Sequence, residues 1–258
     1  MTNTKPSAPV VLAIGVQRAG AVLLILAGLW YFLSEAIAAS AWHSPTYSYI
    51  YGFISDLGSS EVGTRFQGRL VDSPLHDVMN QAFIVHGVLY IIVAAILFRI
   101  IPGRARFTVL AFALVHSVGI TMVGLFHESP AALTNGVIVL HSLGAASAII
   151  GGNATAITVG LVWKRLLAPR WFGIAVTTVG VIGILSFILL QIIGTPPAIP
   201  IGGLVERGAV DTIMIAEMIV GVGLLIRLGR RSTRASLPVG QPHGRVTTEN
   251  RSSLRGKP

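Results

Sequence analysis

The sequence predicts an all-α, polytopic membrane protein: a six-transmembrane-helix bundle with both termini on the cytoplasmic side. Three observations predict it. Of 258 residues, 53% are hydrophobic and only 11% are charged, against roughly 25% charged in a soluble domain. The apolar residues fall in six runs, each near the ~20 residues that cross a hydrocarbon core of about 30 Å. The basic residues collect in alternate connections between those runs, the pattern that sets orientation. A mean hydropathy of +0.75 agrees.

In chain order, the runs predict helices over Gly20–Ala41, Val78–Leu97, Phe107–Leu125, Gly136–Val162, Phe172–Ile193 and Ala209–Leu228. The fourth is the longest and is expected to tilt or to extend beyond the membrane. Ala36-Ile37-Ala38 has the small-x-small form of a signal cleavage site. The run before it is longer than a signal core, however, and Glu35 precedes it, so the helix is read as retained. The chain divides into a cytoplasmic segment 1–18, a membrane domain 19–230 and a tail 231–258. The tail is rich in Arg, Ser, Thr, Pro and Gly and is expected to be disordered. Thr195 to Pro200 reads as a stiff extended connection.

Orientation follows from Lys and Arg. With the N-terminus inside, 16 of the 19 fall on cytoplasmic segments, and only Arg65, Arg69 and Arg207 fall outside. The net charge of +9 is therefore a topology signal, and no nucleic-acid partner is read from it. Asp56, Glu61, Asp72, Asp77, Glu128, Glu206 and Asp211 all lie on the outer side. There is no cysteine, which excludes disulfides, zinc-thiolate sites and Cys nucleophiles. The expected location is the cell membrane, multi-pass, with the lipid bilayer as the first partner.

The loop from Trp42 to Asp77 is long and opens with Trp42, Tyr47, Tyr49, Tyr51 and Phe53, side chains suited to the headgroup region. Loops of this length are usually functional or disordered, and the aromatic content argues for order. Within it, Ser55-Asp56-Leu57-Gly58 reads either as a capped turn or as an acid and hydroxyl facing a ligand. A weak internal echo links Asp72-Ser73-Pro74, 12 residues before His86, with Glu128-Ser129-Pro130, 11 before His141. A true repeat would put the two histidines at equivalent positions.

Ionisable residues inside a membrane are costly and by default face the bundle interior. At about 1.5 Å of rise per residue, His86 and His141 lie ~10 Å below the outer boundary, Glu217 ~12 Å, His116 ~15 Å, and Glu35 shallower. Five spans thus feed one polar layer. Ser55, Asp56, Glu206 and Arg207 border it, and His76, Asp77, His127, Glu128 and Asp211 lie above. Three chemistries suit this set. His86, His116 and His141 as zinc ligands, with Asp56 or Glu217 as catalytic base, would make a hydrolase for a lipid or lipid-linked substrate. His86 and His141 would suit bis-His haem beside the small face Gly144, Ala148 and Gly152. The plain alternative is interhelical hydrogen bonding, with Asn153 and Gln81 as further glue, at roughly 1 kcal/mol or less each. Glu206 and Arg207, placed just before the last helix, read as an exposed pair of little energetic weight. No dinucleotide fingerprint, P-loop or nucleophile elbow is present.

Ile54-Ser55-Asp56-Leu57-Gly58, Val123-Gly124-Leu125-Phe126, His141 and Gly203-Leu204-Val205-Glu206-Arg207 stand in an order that resembles a family of bacterial and archaeal membrane proteins, domain of unknown function 998. The resemblance spans about Gly20 to Leu228. It departs at His127, where that family often carries proline. It implies a six-helix membrane fold with its marked residues on the outer side, and it carries no activity. The expected function is non-enzymatic binding, transport or assembly around an outer-facing polar pocket, open to a lipid or small-molecule ligand. The metal-dependent hydrolase is the alternative and a b-type haem protein a further one.

Overall fold

Six helices long and apolar enough to cross a membrane form the body of the protein. The computed structural model describes residues 8–101, 103–166, 168–192 and 201–236. The Thr195–Pro200 connection and the tail beyond Ser236 lie outside them. The helices are α1 (Ala8–Ser40), α2 (His76–Leu97), α3 (Ala105–Leu125), the short α4 (Pro130–Asn135), α5 (Ile138–Leu161), α6 (Arg170–Ile192) and α7 (Gly202–Ser236). All six expected spans are present, and α4 is additional.

Packing runs once round a ring: α1 on α2, α2 on α3, α3 on α5, α5 on α6, α6 on α7, and α7 back on α1. The ring turns its apolar side chains outward as well as inward. Leu33, Val118 and Leu185 are each more than half exposed, which suits a lipid surround and would be costly in water. This is a multi-pass membrane protein.

Glycines set the closest approaches. A Cβ on Gly119 of α3 would lie 2.4 Å from the Ala148 amide nitrogen, and one on Gly151 of α5 would lie 2.5 Å from the His116 amide nitrogen. Small residues let the two backbones meet, as in other membrane bundles. Asn153 on α5 ties the ring across its interior. Its Nδ2 donates to the Ile149 and Ala209 carbonyls, both at 2.9 Å, and its Oδ1 accepts from Thr212 of α7 at 3.1 Å. This is the expected polar glue, whereas Gln81 is exposed.

The long loop is ordered and covers one end of the bundle. It contains a 3-10 turn over Ser55–Gly58 and a hairpin of β1 (Thr64–Phe66) with β2 (Arg69–Val71). Gln67 and Gly68 join the strands with φ of 46° and 82°. A two-residue turn of this hand matches the strand twist, and glycine takes its second position without strain. The hairpin is the one feature here outside the all-α expectation. Its three-residue strands are too short to leave a periodic pattern.

Candidate functional site

Two layers of buried polar groups stand at the loop-covered end. The upper one fastens the loop to the helices. Arg207, on the second turn of α7, is 8% exposed, and Glu35 of α1 is 3% exposed. Arg207 donates to Glu35 Oε1 from Nη2 at 2.6 Å and from Nε at 3.1 Å. Its Nη1 reaches the carbonyls of Tyr49 at 3.0 Å and Gly52 at 2.9 Å, and Nη2 meets the Tyr47 hydroxyl at 2.6 Å. The Tyr49 ring lies 4.7 Å from the guanidinium. Burial pushes the Tyr47 phenol well above its usual range, so it stays a donor, here to the Phe53 carbonyl at 2.8 Å.

The exposed Glu206–Arg207 pair of the sequence reading is therefore corrected. The helix starts at Gly202, seven residues earlier than hydropathy indicates, because the loop covers its polar first turns. Glu206 turns instead to the Ile54 amide.

A second fastening involves Arg69, which sequence reasoning left out of the site. It grips Asp56 with two donors, Nη2 to Oδ1 at 2.8 Å and Nε to Oδ2 at 3.0 Å, while Phe53 stacks 4.2 Å from the guanidinium. Burial alone would lower the Arg69 pKa, but the Asp56 hydrogen bond and charge carry it above its usual value. Asp56 also accepts from the Phe53 amide at 2.9 Å, and Ser55 is buried beside it in the turn. Glu128 stands 3.5 Å from Arg69. Burial, then the neighbouring Asp56, hold its carboxyl well above the usual carboxylate range, outweighing the pull of Arg69.

Below lies a hydrogen-bonded string. Glu217 Oε1 of α7 is 3.1 Å from His86 Nε2 of α2, His86 Nδ1 is 3.4 Å from His116 Nε2 of α3, and His116 Nδ1 is 2.8 Å from the Ala148 carbonyl of α5. The Gly119 and Gly151 contacts bring α5 within reach of that last bond. The depths estimated from helical rise thus do bring Glu217, His86 and His116 together.

His141 stands apart. Its Nδ1 donates to the Phe126 carbonyl at 2.8 Å, and its Nε2 is 3.9 Å from Glu128. The reason is local: Ser129 caps α4, Gly136 ends it with φ of 83°, and α5 restarts at Ile138. His141 is the fourth residue of its helix and His86 the eleventh of its own, so the echo does not place them equivalently. The three imidazoles do not converge as zinc ligands. Among the described residues, no group of three or more His, Cys, Asp or Glu side chains is arranged to hold a metal ion. The small face proposed for haem is filled by packing: a Cβ on Gly144 would lie 2.8 Å from the Met122 Cβ, and one on Gly152 would lie 2.6 Å from Ile213.

The polar pocket expected at this end is nearly closed. His116, His141, Ser55 and Glu206 border a space of about 40 Å³, enough for a water molecule. The reason is pairing: Arg69 and Arg207 draw the carboxylates and the loop onto themselves. The large cavity lies in the other half of the bundle. It measures about 810 Å³, and all six spanning helices contribute to its wall, from Leu24 on α1 through Val93, Val109, Val159 and Phe172 to Leu224 on α7. Buried Tyr90, Thr155 and Glu217 line it at mid-bundle, and exposed Trp171 and Arg230 line it at the basic end. Its signal in the sequence was the lack of ionisable groups in that half, together with small Ala156, Ala216 and Gly223 on inward positions.

A family model described as "Protein of unknown function (DUF998)" matches residues 25–223. No curated protein and no solved structure matches the chain.

Proposed function

We propose for this chain, which belongs to the protein family of unknown function DUF998, that it binds a hydrophobic ligand drawn from the bilayer in the central cavity of its helix ring. The cavity carries this reading. At about 810 Å³ it falls within the ~300–1,000 Å³ of small-molecule sites. Its wall is almost wholly apolar, with a few polar groups at its mid-bundle end and arginines at its basic end, and a small number of placed polar groups in an apolar wall is what fixes a ligand's orientation. The role is non-enzymatic: binding, in the service of transport or assembly. The loop-covered end acts as a lid, since its charged groups are consumed in pairs.

The placement of basic residues supports both termini inside, in a cell membrane, so the cavity belongs to the cytoplasmic half. The 231–258 tail is then a basic cytoplasmic extension.

The test is displacement of a fluorescent long-chain probe from purified protein in defined micelles. Ala156→Phe puts a ring into the cavity from a wall position that is 5% exposed. Probe affinity should fall at least about tenfold with the melting temperature unchanged or raised. A folded variant that binds as the parent does overturns the proposal.

A further inference from the structure

The large cavity reaches the surface at its basic end, and the side chains there select the ligand's head. Of the residues lining it, four are exposed: Pro169 and Trp171 at the start of α6, and Ile226 and Arg230 towards the end of α7. Trp171 is 56% and Ile226 45% exposed, whereas Val93 and Ala156 deeper in the wall are buried. The opening therefore lies between these two helices. An indole at such an opening suits the headgroup level of a bilayer. Among the described residues, no Asp or Glu stands beyond Glu217 towards this end, so Arg230 has no carboxylate beside it there. Arg227, one turn before it on α7, puts a second positive charge into the same wall. The α7 residues that line the cavity run from Ala216 to Arg230, ~20 Å along the helix axis. A volume of about 810 Å³ spread over that length is longer than it is wide.

We infer that the ligand is a single-chain lipid with an anionic head, a phosphate or carboxylate, held at the opening by Arg230 with the charge of Arg227 behind it, and that its hydrocarbon chain fills the cavity towards Tyr90. The inference rests on the cavity being a ligand site, as proposed above. A guanidinium meets a phosphate or carboxylate with paired, charge-assisted hydrogen bonds. An ammonium head would be repelled by both arginines, and an uncharged head would forgo the charge. The reverse orientation is disfavoured at the mid-bundle end. The Thr155 hydroxyl there already donates to the Gly151 carbonyl at 2.8 Å, and Glu217 Oε1 is taken by His86 at 3.1 Å. An anion placed there would lose its hydration against Val93 and Val159 with no cation to receive it. At the opening the head keeps contact with water, and only the chain is desolvated.

The experiment uses pyrenyl-dodecanol as the fluorescent probe in uncharged micelles. Its competitors are tetradecyl phosphate, tetradecanoate, tetradecanol and tetradecyltrimethylammonium, which differ chiefly in the head. On the unaltered protein the better of the two anions should compete roughly tenfold better than the alcohol, and which anion leads names the head. Arg230→Glu should bring that anion within about threefold of the alcohol, since like charges then face each other. Arg104→Glu changes the charge equally, at an exposed arginine of the same end that does not line the cavity, and should keep the preference. An alcohol or ammonium that competes as well as the anions overturns the inference and leaves the cavity reading standing. A preference that falls equally in both variants does the same, because it then reflects the basic surface at large. Inorganic phosphate has the head without the chain; displacement of the probe by it at the concentrations at which tetradecyl phosphate acts overturns the assignment to a lipid. Failure of the probe and of every competitor to bind overturns the cavity reading and the inference with it.

Discussion

Replacing Arg207 with Met should destabilise the protein by roughly 3–5 kcal/mol, the usual cost of removing one member of a buried ion pair. Both partners are under a tenth exposed, so solvent screening relieves little of it. The loss has two sources. Glu35, buried, loses both donors that reach its Oε1. The Tyr49, Gly52 and Gly203 carbonyls lose theirs as well. Glu35→Met should cost less, about 1–3 kcal/mol, because Arg207 keeps its carbonyl and Tyr47 partners. The double variant Arg207→Met with Glu35→Met should be more stable than the sum of the two losses implies, with a coupling of at least ~2 kcal/mol. Four proteins unfolded by denaturant titration in one mixed-micelle system measure this. A cost under ~1 kcal/mol for Arg207→Met, or strictly additive losses, would refute the reasoning that this pair fastens the loop.

Three further outcomes are expected. The Glu128 carboxyl has its folded pKa raised above 4.5 by burial and by Asp56; its contribution is therefore full below that pH and is lost as pH rises through the raised value. Glu128→Gln should lack that loss, so parent and variant unfolding curves should diverge as pH climbs above 4.5. Gly119→Ala should cost about 1–3 kcal/mol, because the new Cβ meets backbone atoms of Ala148 and Gly144 at 2.4 and 2.6 Å; a thermal melt at parental temperature would contradict it. The chain has no cysteine, so Val62→Cys in the loop and Arg104→Cys at the basic end each give a single thiol. A membrane-impermeant maleimide should label the first on intact cells and spare the second, and the reverse pattern would invert the proposed topology.

The six spans were readable because length and hydropathy are local properties. So was the similar depth of Glu217, His86 and His116, because helical rise converts residue number into depth. Partner choice was not readable, since depth says nothing of which side of the ring a side chain occupies. His141 has nearly the spacing of His86 from its proline, yet α4 intervenes and moves it a different distance into its helix. Arg69 reaches Asp56 through a hairpin whose strands are too short to announce themselves. Arg207 read as exposed because its helix begins in polar residues that a covering loop shields. The cavity left only a faint mark, small inward residues such as Ala156, Ala216 and Gly223 in a half poor in ionisable groups, and small residues serve close packing equally well.

The ring of helices also sets an order of events during synthesis. Each spanning helix up to α6 finds the neighbour made just before it, and the contact of α7 with α1 comes last. Until α7 enters the bilayer, Glu35 waits on α1 with its partner 172 residues away in the chain, and the loop after α1 lacks the guanidinium that gathers its carbonyls. Chains that stop short of α7 therefore lack the donors that reach Glu35 and the side chain that fastens the loop. The Glu35–Arg207 contact marks completion of the protein as well as holding it together.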